Sequence, residues 1–465
     1  MMHIKDTFRK YLEEAIGQEN ALVAFSAFEQ PASVSVRSNP FKKGWRAEGR
    51  EVPWNKHGRI LEQRPSFTLD PDFHGGAYYV QDTSSMFVGY AFRDLVSKLN
   101  KPKGRPLRVL DLCAAPGGKT TDLAASLREI FGDDFLLVSN EVMKARVGIL
   151  ADNVALWGDP NVAVTSDDPK AFASLPGFFD VILADVPCSG EGMFRKDEQA
   201  QEQWSEDNVA LCEARQRRIV ADVWPALAQG GLFIYSTCTF NVYENDRNVA
   251  WIAEELGAQP LMKEPFQEQL PGVIKTPLGY SLVPGFVEGE GQYCSALRKT
   301  SEESIGSIAD LAGGRRGGNP RNKDNKVDIP KGLERFFTKE VRMKMKADLV
   351  IAVPAHLWQD VTMLEGSMHL IASGCAAGSV KGKDFIPNAD LALSLMLAQD
   401  AFPAAEVDKE TALTFLRKDA ITLPGMDKGF VLIRYEGLPL GFVKNLGNRC
   451  NNLHPQGRRI RMNIK

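Results

Sequence analysis

Between residues 107 and 237 short apolar runs alternate with segments of helical character: LRVLDL, a helix after Lys119, FLLVS, a helix over 144–157, NVAVT, FDVILADV, a long helix near 207–227, and GLFIYST. Two strands joined through a helix run parallel, because the crossover returns the chain to the end from which it started. The alternation therefore predicts an α/β fold, a doubly wound sheet with helices on both faces. The segment QYCSALRK, ending at Lys299, is expected to add an edge strand.

A chain of 465 residues exceeds what one apolar core usually serves, so further units must flank that sheet. Residues 1–100 read as a separate N-terminal unit, 101–299 as the α/β sheet, 300–330 as a flexible basic linker, and 331–465 as a C-terminal region. The first 17 residues place Ile4, Phe8, Leu12, Ala15 and Ile16 near helical spacing and predict an amphipathic helix. Residues 40–75, rich in Pro, Gly and charge, read as irregular. The linker carries GGRRGG at 313–318, and from Gly313 to Lys346 eleven Lys or Arg stand against four Asp or Glu. That stretch is either a solvated tether or a nucleic-acid contact. In the C-terminal region a helix is expected near 390–398 and a strand over 430–437. After Glu436 no acid remains, while Lys444, Arg449, Arg458, Arg459, Arg461 and Lys465 follow, a pattern suited to a phosphate backbone.

The formal charge of −3 hides this local bias, so composition alone announces no nucleic acid. Seven cysteines, an odd number in a long chain, argue against a disulfide scaffold and for a reducing compartment. With no secretory apolar core at the start and no 18-residue apolar run, the expectation is a cytoplasmic protein with no membrane partner, acting as a monomer. Metal is not expected, since neither CxxC nor HxxxH spacing occurs.

Three features carry chemistry. VLDLCAAPGGKT, 109–120, puts small residues at a strand end that opens a helix, where backbone amides can approach a polar ligand closely. It is neither a P-loop nor a dinucleotide fingerprint. Acids recur at successive strand ends: Asp111, Glu141, Asp168 and Asp185. In open α/β sheets ligands bind at those ends, and a carboxylate after the second strand suits a ribose diol. DVPCSGEGM at 185–193 and YSTCTF at 235–240 each place a cysteine just past a strand, so Cys188 and Cys238 are expected to face one cleft. Cys113, Cys212, Cys294, Cys375 and Cys450 read as ordinary small apolar residues.

Together with YVQDTSSM at 79–86, GEG at 289–291 and LPLGFVKNLGNR at 438–449, these motifs resemble the RNA cytosine-5 methyltransferases of the Nop/Sun family, most closely the bacterial RsmF-like rRNA enzymes. The resemblance implies a Rossmann-like methyltransferase sheet with an N-terminal accessory, RNA-binding domain and a PUA-like α+β C-terminal region. It implies S-adenosylmethionine as cofactor, bound by Cys113, Ala114, Ala115, Pro116, Gly117, Gly118 and Lys119, with Glu141 on the ribose, Asp168 near the adenine and Asp185 between cofactor and target base. Asp167 competes with Asp168 for the adenine side. Where the family often has Ala in its DAPC motif, this chain has Val186.

By the same resemblance Cys238 is the nucleophile and Cys188 releases the product. A thiolate added at carbon 6 of cytosine makes carbon 5 an enamine carbon able to attack a sulfonium methyl, which explains the need for covalent catalysis. Asp185 is expected to act as a general acid toward ring nitrogen 3, a role needing a raised pKa. Arg195 and Lys196 are expected phosphate or base contacts. The implied substrate is an unstacked cytidine of rRNA, 16S small-subunit rRNA being favoured. A tRNA substrate, or an inactive RNA-binding ribosome assembly factor, remain the alternatives.

Overall fold

The computed structural model describes residues 5–42, 47–261, 270–301, 329–382 and 384–462. Residues 302–328 of the expected linker, Ile4 and Lys465 lie outside them.

A ten-stranded sheet forms the centre. Its parallel part runs in the order Val162–Thr165, Phe135–Asn140, Leu107–Asp111, Phe179–Asp185, Leu227–Thr237. Along each strand apolar side chains alternate between two cores. Leu107 and Val109, Leu137, Val181 and Leu183 meet the helices Thr83–Ser97, Gly118–Phe131 and Lys144–Trp157. Leu110, Leu136, Val138, Ile182 and Ala184 meet Glu206–Val223 and Asp246–Glu255 on the other side. Strands buried on both faces read as unbroken apolar runs, which is why the sequence showed them so plainly.

The sheet order reverses between Leu107–Asp111 and Phe179–Asp185, since the chain winds first to one side and then to the other. Their carboxyl ends therefore flank a crevice.

Four expectations need correction. Gln292–Lys299 lies inside the sheet, antiparallel to Leu227–Thr237 on one side and to Tyr280–Leu282 and Ala258–Pro260 on the other, so its outer backbone edge is paired, and nearly all its side chains are buried. The helix expected to reach residue 227 ends at Val223, as Pro225 offers no amide to continue it, and Leu227 already begins a strand. Residues 50–61, within the stretch expected to be irregular, are regular: Arg50–Val52 and Asn55–Leu61 form a hairpin that buries Val52, Trp54 and Ile60. The helix expected near 390–398 is the five-residue Ala389–Leu393, capped by Asn388.

The hairpin belongs to a four-stranded N-terminal sheet with Val34–Ser38 and Tyr78–Val80. The helices Asp6–Ile16 and Gln18–Phe28 pack Phe8, Leu12, Ile16 and Phe28 against Phe194, Trp204 and Phe240. After residue 330 come two more four-stranded sheets. Leu370–Ser373 leaves them to pair antiparallel with Val162–Thr165, extending the central sheet. A buried ion pair crosses the same junction: Arg108 Nη2 to Asp360 Oδ1 at 2.7 Å.

Much of the basic character is spent inside the molecule. Lys339 pairs with Asp133, and Lys344 with Glu365. Arg458 is shielded between Asp152 at 2.9 Å and Asp390 at 2.6 Å, so it staples the C-terminal sheet to the helix Lys144–Trp157 rather than facing a phosphate. Arg449, Arg459 and Arg461 remain exposed.

Candidate active site

The strand Leu107–Asp111 ends in the loop Leu112–Gly117, which opens the helix Gly118–Phe131. Gly117 holds φ +113°, a backbone conformation L side chains rarely adopt, and so turns the chain into the helix. Asn140 ties three strand ends together, donating to the carbonyls of Leu112 and Asp167 and accepting from Thr165.

The register between Phe179–Asp185 and Leu227–Thr237 sets Asp185 opposite Ser236. Counting on three residues from one and two from the other brings the thiols together, and Cys188 Sγ lies 3.1 Å from Cys238 Sγ. The two loops are zipped along their length. Ser189 Oγ meets Thr239 Oγ1 at 2.9 Å, and Gly192 N donates to the Cys238 carbonyl at 2.9 Å. Gly192 also abuts Gly291, where an added Cβ would come within 2.6 Å of the facing Cα.

Two buried carboxylates sit beneath the zip. Glu191 accepts from the backbone amides of Phe240 and Asn241, from Asn241 Nδ2 and from Trp204 Nε1. Glu244 accepts from Ser189 N, Gln216 Nε2 and Asn241 Nδ2. Burial and the Glu191 charge push Glu244 up to about 7.

A cavity of about 310 Å³ opens in front of this frame. Cys113, Ala114, Ala115, Pro116, Gly118 and Lys119 line it from the glycine-rich loop, with Asp185 and Cys238 beside them. Gly117, Glu141, Asp168 and Cys188 are not among its lining residues. Cys188 stands behind Cys238, and its hydrogen bond to Cys238, burial and the nearby Glu244 raise it well above an ordinary thiol.

Lys119 Nζ sits 2.8 Å from Asp185 Oδ2 and donates to Ser85 Oγ at 3.0 Å. Burial pulls the ammonium down, but the Asp185 charge and hydrogen bond outweigh it and Lys119 is raised overall. Ser236 Oγ donates to Asp185 Oδ1 at 2.8 Å. Asp111 is fully buried; Thr120 Oγ1 donates to its Oδ2 at 2.7 Å, Oδ1 has no partner, and burial pushes the carboxyl up to about 7. Burial and the charges of Asp185, Asp111 and Glu141 push the Cys113 thiol up. Three carboxylates, Asp111, Glu141 and Asp185, thus stand around the loop, the last two beside Arg146 and Lys119.

Glu141 is almost buried, accepting from Met143 N at 2.8 Å beside Arg146 at 3.4 Å. Asp168 is exposed: it caps the turn at Pro169–Ser174 and lies 3.8 Å from Arg218. Asp167 is half-buried and accepts from His369 N at 2.9 Å. Arg195 is not free for RNA, being buried on Glu290 at 2.9 Å, whereas Lys196 lines the cavity and pairs with Asp82 at 2.9 Å. Cys212, Cys294, Cys375 and Cys450 are buried free thiols.

The cavity wall also includes Tyr79, Gln81, Asp82 and Ser85 from the N-terminal unit, and Glu290 and Gln292 from the segment beyond the parallel strands. Sequence reading gave them no role. Their signal was the motif at 79–86 and the GEG at 289–291, which lie far in sequence from the strand ends they join.

Known proteins match this architecture along its length. A family model described as 16S rRNA methyltransferase RsmB/F matches residues 99–298. The N-terminal domain of 16S rRNA methyltransferase RsmF matches 4–83, and the methyltransferase RsmF PUA domain matches 402–460. A ribosomal RNA small subunit methyltransferase F from Serratia proteamaculans (strain 568) is 31% identical over 93% of this chain and 91% of its own. The chain belongs to that methyltransferase family. The relative of the same description from Enterobacter sp. (strain 638) is 29% identical over 97% of this chain and 95% of its own. Among solved structures, a methyltransferase homolog from Pyrococcus horikoshii superimposes with TM-score 0.52 at 24% identity, covering 64% of this chain and 96% of its own. That likeness bears on the fold, a Rossmann-like methyltransferase sheet with accessory domains.

Proposed function

We propose that this family member transfers a methyl group from S-adenosylmethionine to carbon 5 of a cytidine in small-subunit rRNA, through a covalent bond between Cys238 and the base. The observation that carries this reading is the paired thiols, 3.1 Å apart, with Cys238 fronting a cavity shared by the glycine-rich loop and Asp185. The substrate assignment rests on the relatives, whose descriptions name small-subunit rRNA. We read the chain as an accessory unit at 1–100, a catalytic sheet at 101–299 and an RNA-binding region at 331–465.

The residues fit the cofactor. The unpartnered Asp111 Oδ1, the carboxylates around the loop and the helix opening at Gly118 offer acceptors for an ammonium and a sulfonium and amides for a carboxylate. Cys113–Lys119 and Glu141 would hold S-adenosylmethionine, which supplies an electrophilic methyl. Asp168, spent on its cap, is the weakest member of the expected set.

Cys238 Sγ adds to carbon 6 of the ring and carbon 5 gains methyl-accepting character. Cys188, 3.1 Å from the attacking sulfur, is placed to help release the product. Asp185 is the group placed at ring nitrogen 3, where a carboxylic acid would hydrogen-bond the charge that develops, and the Lys119 ammonium 2.8 Å away offsets that charge. Once carbon 5 carries the methyl, a base takes the carbon 5 proton, that electron pair re-forms the carbon 5–carbon 6 double bond, and the Cys238 sulfur departs as thiolate.

RNA containing 5-fluorocytosine tests this, since fluorine at carbon 5 cannot leave as a proton does. A stable protein–RNA adduct is expected with wild type and with Cys188→Ala, and none with Cys238→Ala. An adduct surviving in Cys238→Ala and vanishing in Cys188→Ala would overturn the assignment. Bisulfite mapping of total RNA with and without the gene locates the cytidine and separates rRNA from tRNA.

A further inference from the structure

Tyr79 and Val80 belong to two cavities at once. One is the catalytic cavity; the other, of about 450 Å³, lies between the N-terminal sheet and the helix Lys144–Trp157. Its walls bring Phe67, Phe73 and Tyr79 together with Asn153 and Arg64. Arg64 is exposed, and its guanidinium carbon stands 5.4 Å from the centre of the Phe67 ring. Among the described residues no carboxylate lines this cavity, and the charged one that does is Arg64.

No residue of the loop 113–119 lines it either, so it is not a continuation of the cofactor bed. It is nevertheless fixed to that loop. Asn153 Nδ2 donates to the Pro116 carbonyl at 2.8 Å and reaches Tyr79 Oη at 3.5 Å. Tyr79 lies so close to the loop that a Cβ on Gly118 would come within 3.2 Å of its ring. Anything bound against Tyr79 is therefore placed relative to Lys119 and Asp185.

Aromatic faces beside an arginine are how proteins hold unstacked bases, the ring taking the base and the guanidinium the phosphate. A single strand that delivers one base to the cysteines can lead its neighbour past Tyr79, which lines both cavities. We infer that this second cavity binds the nucleobase adjacent to the target cytidine, stacked on Phe67 with its phosphate on Arg64. The inference rests on the RNA reading above and adds a second nucleotide site to it.

The test uses the full chain and an RNA stem-loop carrying the cytidine mapped by bisulfite, intact and with single abasic sites at each flanking position. Binding is read by fluorescence anisotropy, methyl transfer in a single turnover, and cofactor binding by equilibrium dialysis with labelled S-adenosylmethionine. With wild type, one flanking abasic site is expected to weaken binding roughly 5- to 100-fold, the range of a lost stack. With Phe67→Leu that penalty should collapse toward onefold at that position alone, with cofactor binding unchanged. Arg64→Gln, at an exposed position, should lower the slope of log affinity against log salt by about one phosphate contact. Abasic penalties identical in wild type and Phe67→Leu, with an unchanged salt slope in Arg64→Gln, would overturn the inference while leaving RNA methylation standing. If wild type methylates no RNA, the functional reading and this site fall together.

Discussion

Glu191 joins the two cysteine loops, and Glu191→Gln tests whether that joint positions Cys238, the proposed nucleophile. The side chain is 1% exposed and meets four donors. Oε1 takes Trp204 Nε1 and Asn241 Nδ2, both at 2.9 Å; Oε2 takes Phe240 N at 2.8 Å and Asn241 N at 3.0 Å. An amide of the same shape keeps one acceptor oxygen, so two donors must face an NH₂ group. Hydrogen bonds to a charged group contribute about 1.5–3 kcal/mol each, which puts the loss at about 3–6 kcal/mol. Spread over a catalytic unit of this size, that lowers the thermal midpoint by about 6 °C or more. The midpoint is the quantity to compare, because a chain with several cores need not unfold in one step. If the freed Phe240–Asn241 backbone shifts Cys238 by about 1 Å, methyl transfer falls on the order of 100-fold. Differential scanning calorimetry and single-turnover methyl transfer read the two effects. A midpoint within about 2 °C of wild type would refute the energetic reasoning. A lowered midpoint with methyl transfer unchanged would refute the positioning role.

Three further outcomes follow from the geometry. Glu244 titrates near 7 in the folded protein against 4.5 for an ordinary glutamate, so the folded state holds its proton more tightly. That contribution is fully present below about pH 4.5 and is lost as pH rises through about 7; Glu244→Gln should remove a slope worth about 3 kcal/mol, checked by denaturant unfolding at both ends of that window. Asp360→Ala strands Arg108 in the interior and should destabilise the junction by about 3–5 kcal/mol, whereas Arg108→Met with Asp360→Leu should recover most of it; limited proteolysis between the units separates the cases. Replacing Arg449, Arg459 and Arg461 by Gln should weaken RNA binding and flatten its salt slope by up to about 2 with cofactor binding intact, while an unchanged slope would remove the C-terminal arginines from the RNA surface. Substitution is the better tool than truncation after residue 436, because Leu438–Asn445 and Cys450–Asn452 are strands of a folded sheet.

The parallel sheet, the glycine-rich loop and the two strand-end cysteines were legible in sequence because their signals are local. A strand buried on both faces must be apolar throughout, a tight strand-to-helix turn needs small residues, and a thiol three residues past a strand end has few places to go. The same locality misled where partners are distant. Gln292–Lys299 looked like an edge because the neighbour that covers it, Tyr280–Leu282, is too short to announce itself. Arg195 and Arg458 looked like free cations because Glu290, Asp152 and Asp390, which neutralise them, lie far away in the chain.

By itself the sequence determined the order of elements and which residue types the site contains, since periodicity, turn chemistry and side-chain type are properties of neighbours along the chain. Only the tertiary structure decided which of them act together. The register of two parallel strands brings Cys188 to 3.1 Å from Cys238, that contact and burial raise the Cys188 thiol, and the fold closes Lys119 onto Asp185 and carries Tyr79 and Gln81 into the cavity wall. Contact distance and desolvation arise between segments separated by tens to hundreds of residues, and no local pattern encodes them.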